Sequence, residues 1–102
     1  MPVIRLAEVP EVATIGPDLP ALVMQKAIGS RKRDSRFTMP TSTESMSITY
    51  IKHWGSHRKI TCTESDRAMF VVSGEAIAKV GGDPPARIKS GDFVLMHRGT
   101  PY

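Results

Sequence analysis

Three histidines, one cysteine, a run of arginines and a tyrosine near the end of the sequence are the side chains here with the most chemistry open to them. His53 and His57 flank Gly55 in the stretch HWGSH. Two histidines four residues apart grip a metal from one face of a helix, and a glycine between them argues against that helix. Exposed histidines at a loop or strand end are therefore the favoured reading, with metal ligands as the alternative. His97 is a candidate general acid or base, since an imidazole can change charge near neutral pH. A hydrogen bond at the edge of a sheet is the plainer role. Cys62 is the sole cysteine, which rules out an intramolecular disulfide and a Cys-rich zinc site. It reads as a small half-buried hydrophobe rather than a reactive thiol.

The run Arg31-Lys32-Arg33-Asp34-Ser35-Arg36 holds part of a net charge of +4. Such a run can bind phosphates. It has no interleaved aromatics and no helix-turn-helix or zinc-finger pattern around it, so a solvated loop is favoured over a nucleic-acid surface. An anionic ligand or partner is a milder reading of the same charge. Gly81-Gly82-Asp83 is turn chemistry and not a phosphate loop, because no helix follows it. No cofactor motif is found.

These residues need elements to position them. A chain of 102 residues has room for one domain with a modest core. Hydrophobic residues at 40% and charged residues at 24% fit a soluble globular class. No apolar run approaches the ~18 residues of a membrane span. MPVIRLAEVPEV has no apolar segment behind a basic start, so a cytoplasmic location is expected. Proline recurs everywhere except between Pro40 and Pro84, which disfavours long helices.

Residues 3–6 and 11–15 suit short strands or extended arms, and residues 21–28 suit a strand better than a helix. Gly29 to Arg36 is a polar turn, followed by a short extended piece to Met39. Met46 to Lys52 alternates, with Met46, Ile48 and Tyr50 on one face. Lys59 to Thr63 reads as a further strand. Ala68 to Val72 is a continuous apolar run, which predicts a strand buried on both sides. Residues 76–80 and 86–89 flank Gly81-Gly82-Asp83-Pro84-Pro85 and predict a hairpin. Phe93 to Met96 is the last strand. The pattern is all-β, a sandwich or small barrel.

Residues Met46 to Tyr102 resemble the cupin family. Its first motif is a glycine, five residues, His-x-His, three or four residues, Glu, six residues and a glycine. Here Gly55 is followed by five residues, Thr61-Cys62-Thr63, three residues, Arg67, six residues and Gly74. In the second motif, Gly91 is followed by five residues, His97-Arg98-Gly99, two residues and Tyr102. All four glycines keep the family spacing, with motif one at 55–74 and motif two starting at 91. The resemblance implies an antiparallel β-barrel, or jelly roll, over residues 46–102. Residues 1–45 would supply an extended N-terminal arm and edge strands of the same domain. It also implies one or two strands beyond Tyr102. Either the C-terminal strands are missing from this sequence, or a partner's arm fills the gap. The family commonly dimerises, so a homodimer is expected.

The family's metal-binding members hold one divalent ion with two histidines, a glutamate and a last histidine. Those positions here are Thr61, Thr63, Arg67 and Tyr102. A neutral hydroxyl is a poor ligand and a guanidinium has no lone pair to give. The resemblance then points to a site rebuilt without a metal, lined by Thr61, Thr63, Arg67, Met69 and Tyr102. Trp54 would cover the barrel mouth or, as favoured, cap the core. Arg67 needs an acceptor. That acceptor is either structural, from Glu64, Asp66 or Asp92, or a ligand carboxylate or phosphate. The expected function is metal-independent binding, and conversion if His97 or Tyr102 is catalytic, of a small anionic molecule. The alternatives are a non-catalytic sensing module, and a metal-dependent dioxygenase, lyase or isomerase that recruits His53, His57 and His97. Neither nucleic acid nor membrane is an expected partner. Elemental analysis of the purified protein is expected to find far less than one equivalent of iron, nickel, manganese or zinc. Near-stoichiometric metal would overturn the metal-free reading.

Overall fold

The computed structural model describes residues 3–16, 19–56 and 59–102. They form an all-β protein with a single 3-10 turn, Leu6–Glu8. The backbone gathers into two compact units, Met1–Arg58 and Lys59–Tyr102.

The first unit is a four-stranded sheet: β1 (Val12–Gly16), β2 (Leu19–Gly29), β3 (Thr41–Ser42) and β4 (Ile48–His53). β2 is the central strand. It pairs antiparallel with β1 (Val12↔Met24) and with β4 (Gln25↔Tyr50), and its end pairs parallel with β3 (Ile28↔Thr41). β2 runs through Pro20, ahead of the residues 21–28 that the sequence pattern assigns to a strand. The register supplies the reason. β4 reaches only as far as Leu22↔His53, so β2 is an edge strand at Pro20 and the missing N–H breaks no ladder with β4.

Side chains on β2 alternate between two faces. Val23 and Gln25 share one face with Tyr50 and Lys52 of β4. Gln25 is buried, and its Nε2 donates to Leu6 O and Val9 O, both at 3.0 Å. The N-terminal arm is thereby fastened to this face, with Val9 buried beneath it. On the other face, Lys26 is held from three sides. Its Nζ lies 3.3 Å from Asp34 Oδ1, donates to Ser47 Oγ at 3.0 Å, and sits 5.0 Å from the Phe37 ring centroid.

The predicted polar turn after Gly29 is present, but its arginines are not simply solvated. Arg31 Nη2 donates to Met39 O at 3.1 Å and to Pro40 O at 3.3 Å. Arg33 Nη2 donates to Glu44 O at 3.2 Å and lies 3.5 Å from Glu44 Oε2. Arg36 stacks over Phe37 at 5.1 Å. Ser30, 1% exposed, donates to Glu44 Oε1 at 2.7 Å and accepts from Arg33 N. The basic run ties its own loop to residues 39–44.

The second unit has two antiparallel pairs, β5 (Arg67–Phe70) with β8 (Phe93–Met96), and β6 (Glu75–Ala78) with β7 (Ala86–Lys89). The expected hairpin across Gly81 to Pro85 is observed, closed by Asp83 N donating to Val80 O at 3.1 Å. Gly91, at φ +92°, makes the turn before β8, where Asp92 Oδ2 accepts from Lys89 N at 2.7 Å. Ile88 and Met96 are buried.

Two expectations are corrected. Ala68 to Val72 is not buried on both sides: the strand ends at Phe70, and Met69, Phe70 and Val72 are exposed. An apolar run meets water when only one strand pairs with it and no second layer covers it. Lys59 to Thr63 is no strand but a single bridge, Thr61↔Pro101. Beside it Ile60 and Tyr102 exchange both backbone bonds, so Thr61 and Pro101 form the non-hydrogen-bonded pair, and Pro101 O faces outward to accept from Gly81 N at 2.8 Å. Among the described residues the strands form three separate sheets and no barrel closes.

A side chain at Gly29 would have to displace the side chains packed over it. A Cβ there would meet Lys26 Cδ and Met39 Sδ at 2.9 Å and Asp34 Oδ2 at 3.2 Å. Gly→Ala in an open strand is mildly stabilising. Gly29→Ala is expected to do the reverse, lowering stability by about 1–3 kcal/mol through overpacking, as read from the midpoint of urea unfolding.

Candidate functional site

The site lies in the second unit, where the chain after β8 returns to the segment before β5. His97 to Thr100 turn back, with Thr100 N donating to His97 O at 3.0 Å and Gly99 at φ +81°. That positive φ is one a glycine adopts without strain. Gly99 N then donates to Cys62 O at 2.8 Å. Ile60 and Tyr102 exchange both backbone bonds, at 2.8 and 2.9 Å. These contacts fix Tyr102 opposite the start of β5.

Arg67 opens β5. Its Nη1 donates to Tyr102 Oη at 3.0 Å. Two residues 35 positions apart, paired in the sequence only by the motif spacing, are therefore in direct contact. Met69 follows on the same face of β5, with Val94 and Met96 opposite in the β8 register. Met69 is exposed and Met96 buried. Thr61 and Thr63 are exposed, on the irregular segment that leads to β5. The site is an open surface of polar donors beside a short apolar strip.

The three acids considered as partners for Arg67 do other work where their contacts are described. Asp66 Oδ1 accepts from Arg98 N at 2.8 Å and lies 3.8 Å from His97 Nδ1. Asp92 caps its own turn. Among the described residues Arg67 has no carboxylate partner. Burial works against its charge, but Tyr102 and the Cys62 sulfur outweigh burial and hold its pKa above the ordinary value.

Cys62 is the functional group that composition undervalued. It is half-buried, and its pKa is lowered to about 7. The backbone N–H groups of Glu64 and then Ser65 stabilise the thiolate most, burial opposes them, and the Ser65 hydroxyl and Arg67 charge add to the lowering. Ser65 Oγ lies 3.8 Å from the sulfur. The signal in the sequence is Cys62 standing just before Glu64-Ser65-Asp66, a polar turn able to aim N–H groups back at it.

His97 and Asp66 sit beyond hydrogen-bond reach of each other and are both exposed. Trp54 is 55% exposed, so it does not cap a core among the described residues. His57 lies outside the described residues, and His53 ends β4 in the first unit. Among the described residues no three of His, Cys, Asp and Glu are grouped to hold a metal ion, and no helix is long and apolar enough to cross a membrane. Compared with known proteins, the chain matches no family model, no curated protein and no solved structure.

Alkylation by iodoacetamide follows the thiolate. Its rate is expected to be half-maximal near pH 7, rising with pH, as followed by mass spectrometry. Arg67→Met should move the profile upward yet leave it below the ~8.5 of free cysteine, because the backbone donors remain. A wild-type midpoint near that of free cysteine would show that the turn does not hold the thiolate.

Proposed function

We propose that this chain is a cupin-like domain that binds a small anionic molecule, a carboxylate or a sugar phosphate, without a metal. One observation carries the reading: the exposed Arg67 guanidinium is braced by the Tyr102 hydroxyl and meets no carboxylate among the described residues. A guanidinium has five N–H donors in a fixed fork. The phenol and the neighbouring Cys62 sulfur engage part of that fork, and the remaining donors match carboxylate and phosphate geometry bidentately.

The phenol has a second use. It takes one N–H and so restricts the rotation of the guanidinium plane, which lowers the entropy lost when an anion docks. The Thr61 and Thr63 hydroxyls lie on the adjoining segment and offer further donors. Met69 provides apolar contact for the body of the ligand. A divalent ion is poorly served by this set, since hydroxyls are weak ligands and the arginine repels cations. The proposed role is binding: His97, the other acid–base candidate, is set beside Asp66 instead.

The test is isothermal titration calorimetry against small carboxylates and sugar phosphates, with thermal shift as the screen. At least one anion is expected to bind saturably. Arg67→Met should weaken it roughly tenfold or more, equivalent to about 1.4 kcal/mol or more. Tyr102→Phe should weaken it less, because the guanidinium survives. Equal binding by wild type and Arg67→Met would overturn the reading. Loss of stability without loss of affinity would make Arg67 structural.

A further inference from the structure

The first unit carries a shallow groove between the N-terminal arm and the β2–β4 face, about 750 Å³ in volume and largely open to solvent. Leu6, Val9 and Pro10 form its apolar wall, and Gln25, Tyr50 and Lys52 its floor, with Glu11 at the rim. The register accounts for the floor: Gln25 pairs with Tyr50, and Lys52 follows two residues along on the same face.

Gln25 is 7% exposed, so its amide has little water of its own. Both bonds it makes are donations, to Leu6 O and Val9 O. Two carbonyl acceptors fix the amide with its NH₂ toward the arm, which turns Oε1 away from those carbonyls. Among the described residues no donor meets Oε1. A buried amide oxygen without a donor is unfavourable, and a groove beside it is where a donor can enter.

Glu11 and Lys52 set the charge of that donor's molecule. Their Oε1–Nζ separation is 3.8 Å, longer than a hydrogen bond, and both side chains are about half exposed. Such a pair holds its partners weakly. A simple anion would be repelled by Glu11 and a simple cation by Lys52. A zwitterion gives each side chain an opposite charge and leaves the groove's balance unchanged.

We propose that this groove binds a small aliphatic α-amino acid. Its ammonium group donates to Gln25 Oε1 and faces Glu11, its carboxylate faces Lys52, and its side chain lies on Leu6 and Pro10. The site is independent of the anion-binding reading of Arg67. It rests on a different sheet and on different residues.

The probe is L-leucine, titrated into the ¹⁵N-labelled full chain and read from the Gln25 side-chain NH₂ and the arm amides. A saturable shift is expected there. 4-Methylpentanoate lacks the ammonium and 3-methylbutylamine lacks the carboxylate, so each should bind roughly tenfold more weakly or worse. Lys52→Met and Glu11→Gln, both at exposed positions, should each weaken leucine binding while the rest of the spectrum is retained. Arg67→Met should leave it unchanged. No saturable shift, equal binding by either truncated analogue, or unchanged binding in both groove variants would overturn the proposal. An anion that binds through Arg67 while leucine fails would sink this inference alone.

Discussion

The backbone hydrogen bonds that β2 makes along both of its edges support everything else in the first unit. β1 and β3 take one edge and β4 takes the other. A strand satisfied on both sides can turn its two faces to different tasks. One face presents Gln25, whose amide fastens the N-terminal arm. The other presents Lys26, whose stem packs against the Gly29–Met39 loop while its charge goes to Asp34. Burying a lysine stem with its head paired avoids an uncompensated charge. The absence of a side chain at Gly29 is what permits that approach. Strand pairing, loop packing and the position of the basic run thus follow from one central strand.

The second unit is built more thinly. Its two strand pairs bury only Ile88 and Met96 among their hydrophobic residues, while Phe93 is 77% exposed and Phe70, at a ring centroid distance of 4.7 Å, is 51% exposed. Two-stranded pairs are marginal in water without a covering layer. Order here comes largely from backbone bonds between loops, namely Gly81 to Pro101, Gly99 to Cys62 and Ile60 to Tyr102. The same bonds set the Arg67–Tyr102 contact. The site is therefore an outcome of how this unit closes rather than an addition to it.

Alternation and turn chemistry made most strands legible in the sequence. β1, β2, β4, the β6–β7 hairpin and β8 lie where the residue pattern puts them. What the pattern could not supply was partners. Pro20 in a strand is acceptable only because β4 stops at His53, a fact of register. Ala68 to Val72 is apolar enough for a buried strand, but burial needs a second layer, which composition does not encode. Lys59 to Thr63 is β-branched, yet among the described residues only Thr61 finds a bridge partner there, Pro101. The basic run reads as a solvated loop because the carbonyls of Met39, Pro40 and Glu44 that bind it are far from sequence patterns.

The candidate site was half legible for a similar reason. The spacing of the glycines brought Arg67 and Tyr102 into one argument, and they are in contact at 3.0 Å. Their relation differs from the one an isolated arginine suggests. Two acids, Glu64 and Asp66, lie within three residues of it in the sequence and Asp92 farther on, and electrostatics alone would pair it with one of them. Backbone geometry sends Asp66 to Arg98 N and Asp92 to Lys89 N, because a carboxylate capping a turn gains a charge-assisted bond and keeps its solvent exposure. A phenol then takes the place beside the guanidinium. A neutral phenol orients the arginine without forming an ion pair, and the Cys62 sulfur is its other neighbour in this unit.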